Sequence, residues 1–110
     1  MDEISPFSTT NVVELKDGKI NEFTINPKDL GINEGDKENL KGKNAEYNAE
    51  KIIDIYKGTS NEFSQSVALN AAAGLIVNET HEEFTDAYNN AREHILSNKV
   101  IKHLEKIQNV

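Results

Sequence analysis

Asp2 and Glu3 put two carboxylates side by side ahead of Ile4-Ser5-Pro6, and they are the first residues of the chain whose types suggest chemistry. Hard divalent cations such as Mg²⁺ take oxygen ligands, keep several waters, and use one or two carboxylates together with substrate phosphates. An acidic pair near a terminus is more often solvated and mobile, so the pair alone does not define a site. His81-Glu82-Glu83-Phe84-Thr85 offers one His followed by acids, but no second His on the same helix face, which excludes a zincin motif. His94 and His103 do not share a helix face and read as surface histidines. Ser5, Ser60, Ser64, Ser66 and Ser97 lack any nucleophile-elbow context. Lys41-Gly42-Lys43 invites a phosphate, yet no buried strand precedes it and it reads as a loop. With no Cys, there is no thiolate nucleophile, disulfide or zinc–thiolate site.

One domain must carry these groups, because 110 residues suffice for one and not for two. A chain of this size buries roughly two-thirds of its unfolded surface, so a real core is possible. Nineteen acidic against twelve basic residues give a net charge of -7. That balance argues against sequence-independent nucleic-acid binding, which rests on clustered Lys and Arg, and against docking on anionic membranes. The longest apolar run, Ala71 to Val77, is too short to span a bilayer. The opening Met-Asp-Glu-Ile-Ser-Pro is not a basic and apolar leader, and the expected location is cytoplasmic.

The positioning elements fall into two parts. Over residues 1–43, Asn11-Val12-Val13-Glu14-Leu15 and Ile20-Asn21-Glu22-Phe23-Thr24-Ile25 flank Asp17-Gly18 and predict a hairpin with a type I′ turn. Its register sets Leu15 opposite Ile20 and Val12 opposite Phe23. These pairs lie on opposite faces, which calls for a bulge or for partial cover on both sides. Pro27 ends the second strand. Residues 44–110 read as helical. Ala45, Ala49, Ile52, Ile53 and Tyr56 form a stripe behind an Asn44 cap and stop at Gly58. Ser66 to Val77 is apolar nearly all round and predicts a central helix with neighbours on several sides. Thr80-His81-Glu82-Glu83 fits a capping box for a helix with the stripe Phe84, Ala87, Tyr88, Ala91 and Ile95. Asn98 is a left-handed stop, after which Val100, Ile101, Leu104 and Ile107 make a short final helix.

Four stretches together carry a family likeness: Met1-Asp2-Glu3-Ile4-Ser5-Pro6; Val12 to Gly18 continuing through Pro27-Lys28-Asp29-Leu30-Gly31; Leu40-Lys41-Gly42-Lys43-Asn44-Ala45-Glu46-Tyr47-Asn48-Ala49; and Val67-Ala68-Leu69-Asn70-Ala71-Ala72-Ala73. In order and spacing they resemble the C-terminal third of the anthranilate phosphoribosyltransferase family. Two positions depart from its pattern. Lys43 stands where a second Gly is usual, and Asn98 stands where Gly commonly breaks the last two helices.

The resemblance implies an α/β fragment, mainly α: a β-hairpin followed by about four helices, from the C-terminal part of a mostly parallel α/β domain. It makes residues 1–110 the C-terminal portion of that catalytic domain. It implies transfer of phosphoribosyl from phosphoribosyl pyrophosphate to anthranilate in tryptophan biosynthesis, with Mg²⁺ as cofactor. Asp2 and Glu3 would be metal ligands, directly or through water, acting electrostatically and not as acid or base. The family's Gly-rich phosphate loop and anthranilate-holding residues lie upstream of the Asp-Glu pair, and no Gly-x-Gly-x-x-Gly or Gly-Gly-Asp stretch occurs here. The expectation is therefore a fragment or split gene product, inactive alone. Apolar surface left open would drive binding to the remainder of the same enzyme or self-association as a homodimer. Two other readings stay open. One is a pyrimidine nucleoside phosphorylase-like member, against which the Asp-Glu-Ile-Ser-Pro start speaks. The other is a non-catalytic acidic helical interaction module, which accounts for composition and helices but not for the ordered motifs.

Overall fold

Asp17 and Gly18 both take positive φ, 52° and 72°, in the computed structural model, which describes residues 1–33 and 35–110. They form the tight turn between β1 (Thr10–Lys16) and β2 (Lys19–Ile25). The strands pair antiparallel with Leu15 opposite Ile20 and Val12 opposite Phe23, and the ladder runs unbroken from Thr10↔Ile25 to Lys16↔Lys19. The mismatch of faces is therefore not resolved by a bulge. It is resolved by leaving one face open: Val13, Leu15 and Ile20 share that face and are 68%, 73% and 70% exposed. On the other face Ile25 is buried and Val12 packs partly against the core.

Pro27 opens a 3-10 turn, Pro27–Leu30, in which the Asn26 side chain accepts from the Lys28 amide at 3.1 Å. A second 3-10 turn, Lys37–Leu40, precedes four helices: α1 (Ala45–Tyr56), α2 (Glu62–Val77), α3 (Phe84–Leu96) and α4 (Lys99–Gln108). Asn44 caps α1 by accepting from the Tyr47 amide at 2.9 Å, as expected. The apolar stripe read along α1 is mostly open, however. Ala45, Ala49 and Ile52 are exposed, and Ile55 is the residue that reaches the core. Lys43 has no positive φ, so Lys is tolerated where Gly was expected. Its amide donates to Asn48 Oδ1 at 2.9 Å, while a Cβ on Gly42 would come within 3.0 Å of the same oxygen. That contact gives a physical reason for the spacing of Gly42 and Asn48.

α2 begins earlier than its apolar run suggested. Asn61 and Ser64 form a reciprocal capping box, Asn61 Oδ1 accepting from the Ser64 amide at 3.0 Å and Ser64 Oγ accepting from the Asn61 amide at 2.9 Å. The box expected at Thr80–Glu83 does not form. Thr80 instead closes α2, its amide and hydroxyl both donating to the Leu75 carbonyl at 3.1 and 3.0 Å. α3 then starts behind Glu83 with no side-chain cap. Asn98, at φ 62°, separates α3 from α4 as expected.

α2 packs chiefly on α3. The faces that meet are built from small residues: Ala68, Ala72 and Ala87 are fully buried, and Ala91 is nearly so. Small side chains let the two backbones approach closely, with Leu69, Tyr88 and Ile95 filling the space around them. The far side of α2 is bare, with Val77 83% exposed, so this helix has close neighbours on fewer sides than its composition suggested. In total the chain exposes 7722 Å², about a quarter more than the ~6,100 Å² typical of a folded monomer of this mass. Its radius of gyration, 14.9 Å, likewise exceeds the ~13 Å of a compact domain. In isolation the chain is expected to self-associate and to bind an apolar dye. Light scattering that finds a monodisperse monomer, together with no dye fluorescence, contradicts this.

Candidate functional site

The first residues do not fray. Ile4 is held by Asn70 of α2, whose Oδ1 accepts from the Ile4 amide at 3.0 Å while its Nδ2 donates to the Ile4 carbonyl at 3.2 Å. Nδ2 also donates to the Ser66 carbonyl one turn back at 2.9 Å, which fixes the side chain against its own helix. Pro6 is buried, and the Phe7 amide donates to Ser5 Oγ at 3.1 Å. The segment therefore lies along α2. Asp2 and Glu3 are exposed at its outer end and line a groove of about 1150 Å³.

Lys37 and Leu40 of the second 3-10 turn, and Lys41 after it, also line that groove and form another of its walls. Glu62, in the first turn of α2, anchors this wall. Its Oε1 accepts from Asn39 Nδ2 at 3.0 Å and from the Asp36 amide at 3.4 Å. The Asn39 hydrogen bond, helped by backbone amides, holds the Glu62 carboxyl below its ordinary value of 4.5 against a small desolvation in the other direction. Lys41 pairs with Glu38 at 2.8 Å, but both side chains are about two-thirds exposed and the pair adds little stability. Phe63, Ser66 and Val67 of α2 form the floor. The groove lining thus includes two carboxylates, Asp2 and Glu3, and two lysines, Lys37 and the Glu38-paired Lys41. Such a pairing suits a metal-complexed anion better than either ion alone.

Of the residues weighed in the sequence, the structure brings Asp2, Glu3, Lys41, Ser5 and Ser66 to one groove. Lys43 is not part of the groove lining; its ammonium sits 4.6 Å from the centre of the Tyr47 ring, with Lys51 at 5.2 Å from the same ring. His94 and His103 are exposed on α3 and α4, and His81 contacts only Thr80 in the hydrogen bonds seen here. Among the described residues no group of three or more His, Cys, Asp or Glu could hold a metal by itself. Asn70, Glu62 and Lys37 were not singled out as functional from the sequence. Asn70 left a trace there: Asn is a poorer helix former than the Ala residues around it, so its place in the middle of an Ala-rich helix points to a tertiary role.

A hairpin and helical layer with a groove of mixed charge is consistent with a piece of a larger transferase domain. A family model for the glycosyl transferase family, a/b domain, matches residues 1–100, and the chain belongs to that family. Within it, the chain is homologous to anthranilate phosphoribosyltransferases. It is 58% identical over 110 residues to the anthranilate phosphoribosyltransferase of Pelagibacter ubique, covering 100% of this chain and 33% of the relative. The enzyme of that name from Methanococcus maripaludis is 34% identical over 110 residues, again with 33% of the relative covered. The one from Clostridium kluyveri is 36% identical over 109 residues, with 32% covered. The chain spans about a third of the length of the curated relatives it matches.

Because the folded Glu62 carboxyl titrates below 4.5, its stabilisation is fully present above that value and disappears as the pH falls through the folded pKa. Glu62→Gln is expected to destabilise the chain at pH 7 by about 0.5 kcal/mol, the scale of an exposed charge-assisted contact. The difference between the two proteins should shrink as the pH falls below 4.5 and through the folded pKa. Thermal melts of both across this range are the check; a gap that widens towards acid refutes the assignment.

Proposed function

We propose that the chain forms the C-terminal portion of the α/β domain of a phosphoribosyltransferase that joins anthranilate to phosphoribosyl pyrophosphate in tryptophan biosynthesis. Membership of the family and the 58% identity to a named anthranilate phosphoribosyltransferase support this reading. The observation that carries it is the placing of Asp2 and Glu3 at a groove that also holds Lys37 and Lys41.

The donor set suits Mg²⁺ as a partial site. Two adjacent carboxylates at an open groove, with no third acid or His near enough to complete a cage among the described residues, match an ion that keeps waters and takes phosphate oxygens from its substrate. Asp2 and Glu3 would hold the ion, directly or through water. When bound, Mg²⁺ supplies neutralisation of the charge on the diphosphate leaving group. Lys37 and Lys41 would orient phosphate oxygens as point-charge donors. Neither carboxylate has to move a proton, so both act by field alone.

The groove offers no enclosed pocket for an aromatic acceptor, and its walls are open to solvent. We therefore expect the remainder of a longer protein to supply that pocket and to cover the bare faces of the hairpin and α2. Two outcomes are expected of the 110-residue chain. Calorimetric titration with MgCl₂ in the presence of diphosphate should give binding that the double variant Asp2→Asn/Glu3→Gln weakens by roughly tenfold or more, on the scale of losing a charge-assisted contact; unchanged binding refutes the ligand assignment. Given anthranilate, phosphoribosyl pyrophosphate and Mg²⁺, the chain alone should yield no fluorescent phosphoribosylanthranilate, and detecting that product would overturn its predicted inactivity.

A further inference from the structure

We infer that Asn70 is the positioning residue of the acidic pair: its carboxamide grips both polar atoms of the Ile4 peptide unit and so fixes where Asp2 and Glu3 stand at the groove. The inference rests on the metal reading above and deepens it. Three hydrogen bonds carry it. Asn70 Oδ1 accepts from the Ile4 amide at 3.0 Å, and Nδ2 donates to the Ile4 carbonyl at 3.2 Å and to the Ser66 carbonyl at 2.9 Å. Both amide hydrogens and the oxygen of the side chain are thereby used. The bond to Ser66 locks the rotamer before Ile4 arrives, and the other two imitate the two-point pairing of neighbouring strands.

The geometry explains why an amide is needed here. Ala or Leu offers no polar atom, and Ser is too short to reach the donor and acceptor of Ile4 together. It also explains the effect on the acids. Glu3 is joined directly to the held residue and Asp2 is one residue beyond, so fixing Ile4 leaves few backbone torsions between the clamp and each carboxylate. Without the clamp the acids would sit on a free terminus, whose ordering would have to be supplied by the metal itself. The bond bridges 66 positions of sequence, from the first residues to the middle of α2. Asn70 itself lines the groove, beside Ser66 and Val67.

The test uses Mn²⁺ as the probe ion on the whole chain, with amide hydrogen exchange and paramagnetic line broadening read by NMR. In the unaltered chain the Ile4 amide should be protected, and bound Mn²⁺ should broaden amides both at residues 2–5 and at Ser66–Asn70. Asn70→Ala should abolish the Ile4 protection while leaving that of the α2–α3 core in place. Its Mn²⁺ affinity should fall roughly tenfold, the order set by ordering about one backbone residue, and the broadening should retreat from α2. In an Asp2→Asn/Glu3→Gln background the same change should have no further effect on affinity. Should Asn70→Ala fail to fold, Asn70→Ser carries the same expectations. Lost Ile4 protection with affinity and broadening unchanged overturns the positioning role alone. Absence of Mn²⁺ binding by the unaltered chain overturns the metal reading and this inference together.

Discussion

The arrangement of this chain depends on one side chain bridging its first residues to its central helix. Asn70 can do so because α2 is itself fixed, by the Asn61–Ser64 capping box at its start and by close packing of Ala68 and Ala72 against α3. Two residues past the bridge Pro6 is buried, and before it Asp2 and Glu3 stand at a groove. Part-buried hydrogen bonds of this kind contribute only about 1 kcal/mol each. Their larger effect is geometric, since they convert a terminal segment into part of a defined surface.

Glu62 plays the matching role on the other wall. One carboxylate oxygen collects the Asp36 amide and the Asn39 side chain, and so ties the lysine-bearing turn to the first turn of the same helix. Both walls of the groove are therefore referred to α2, one near its start and one near its middle. A carboxylate in the first turn of a helix is also favoured by the positive end of the helix dipole. The groove inherits the rigidity of α2, which an assembly of surface loops would lack.

The rest of the molecule shows how far a domain can go with an incomplete core. Among the described residues the buried core cluster holds ten apolar side chains, while Val13, Leu15, Ile20, Val77 and Ile107 face outward. The hairpin is a two-stranded sheet, and on one face its Val13, Leu15 and Ile20 are exposed among the described residues. Two-stranded ribbons are marginal in water unless they lie on something. Here only the Ile25 end does so. These exposed surfaces fit a chain homologous to a third of its relatives' length, belonging to the glycosyl transferase a/b domain family.

What the sequence determined by itself were the features set by local chemistry. The Asp17-Gly18 turn and the register of its hairpin, the Asn44 cap, the Asn98 stop and the α3 stripe all follow from interactions within a few residues, and all appear as read. The ordered motifs likewise identified the family, because their spacing is a property of the chain and not of its packing. Tertiary structure decided everything that needs a partner distant in sequence. One local reading also changed: Thr80 looked like the cap of the following helix but closes the preceding one, its amide and hydroxyl both donating to the Leu75 carbonyl five residues back. The α1 stripe looked like core but is only partly so: Tyr56 packs against the core, while Ala45, Ala49 and Ile52 stay exposed. The groove is the clearest case: the Ile4–Asn70 clamp behind its acids joins positions 66 residues apart. No local pattern encodes that proximity, because hydrogen bonds across such distances depend on how the elements pack in three dimensions.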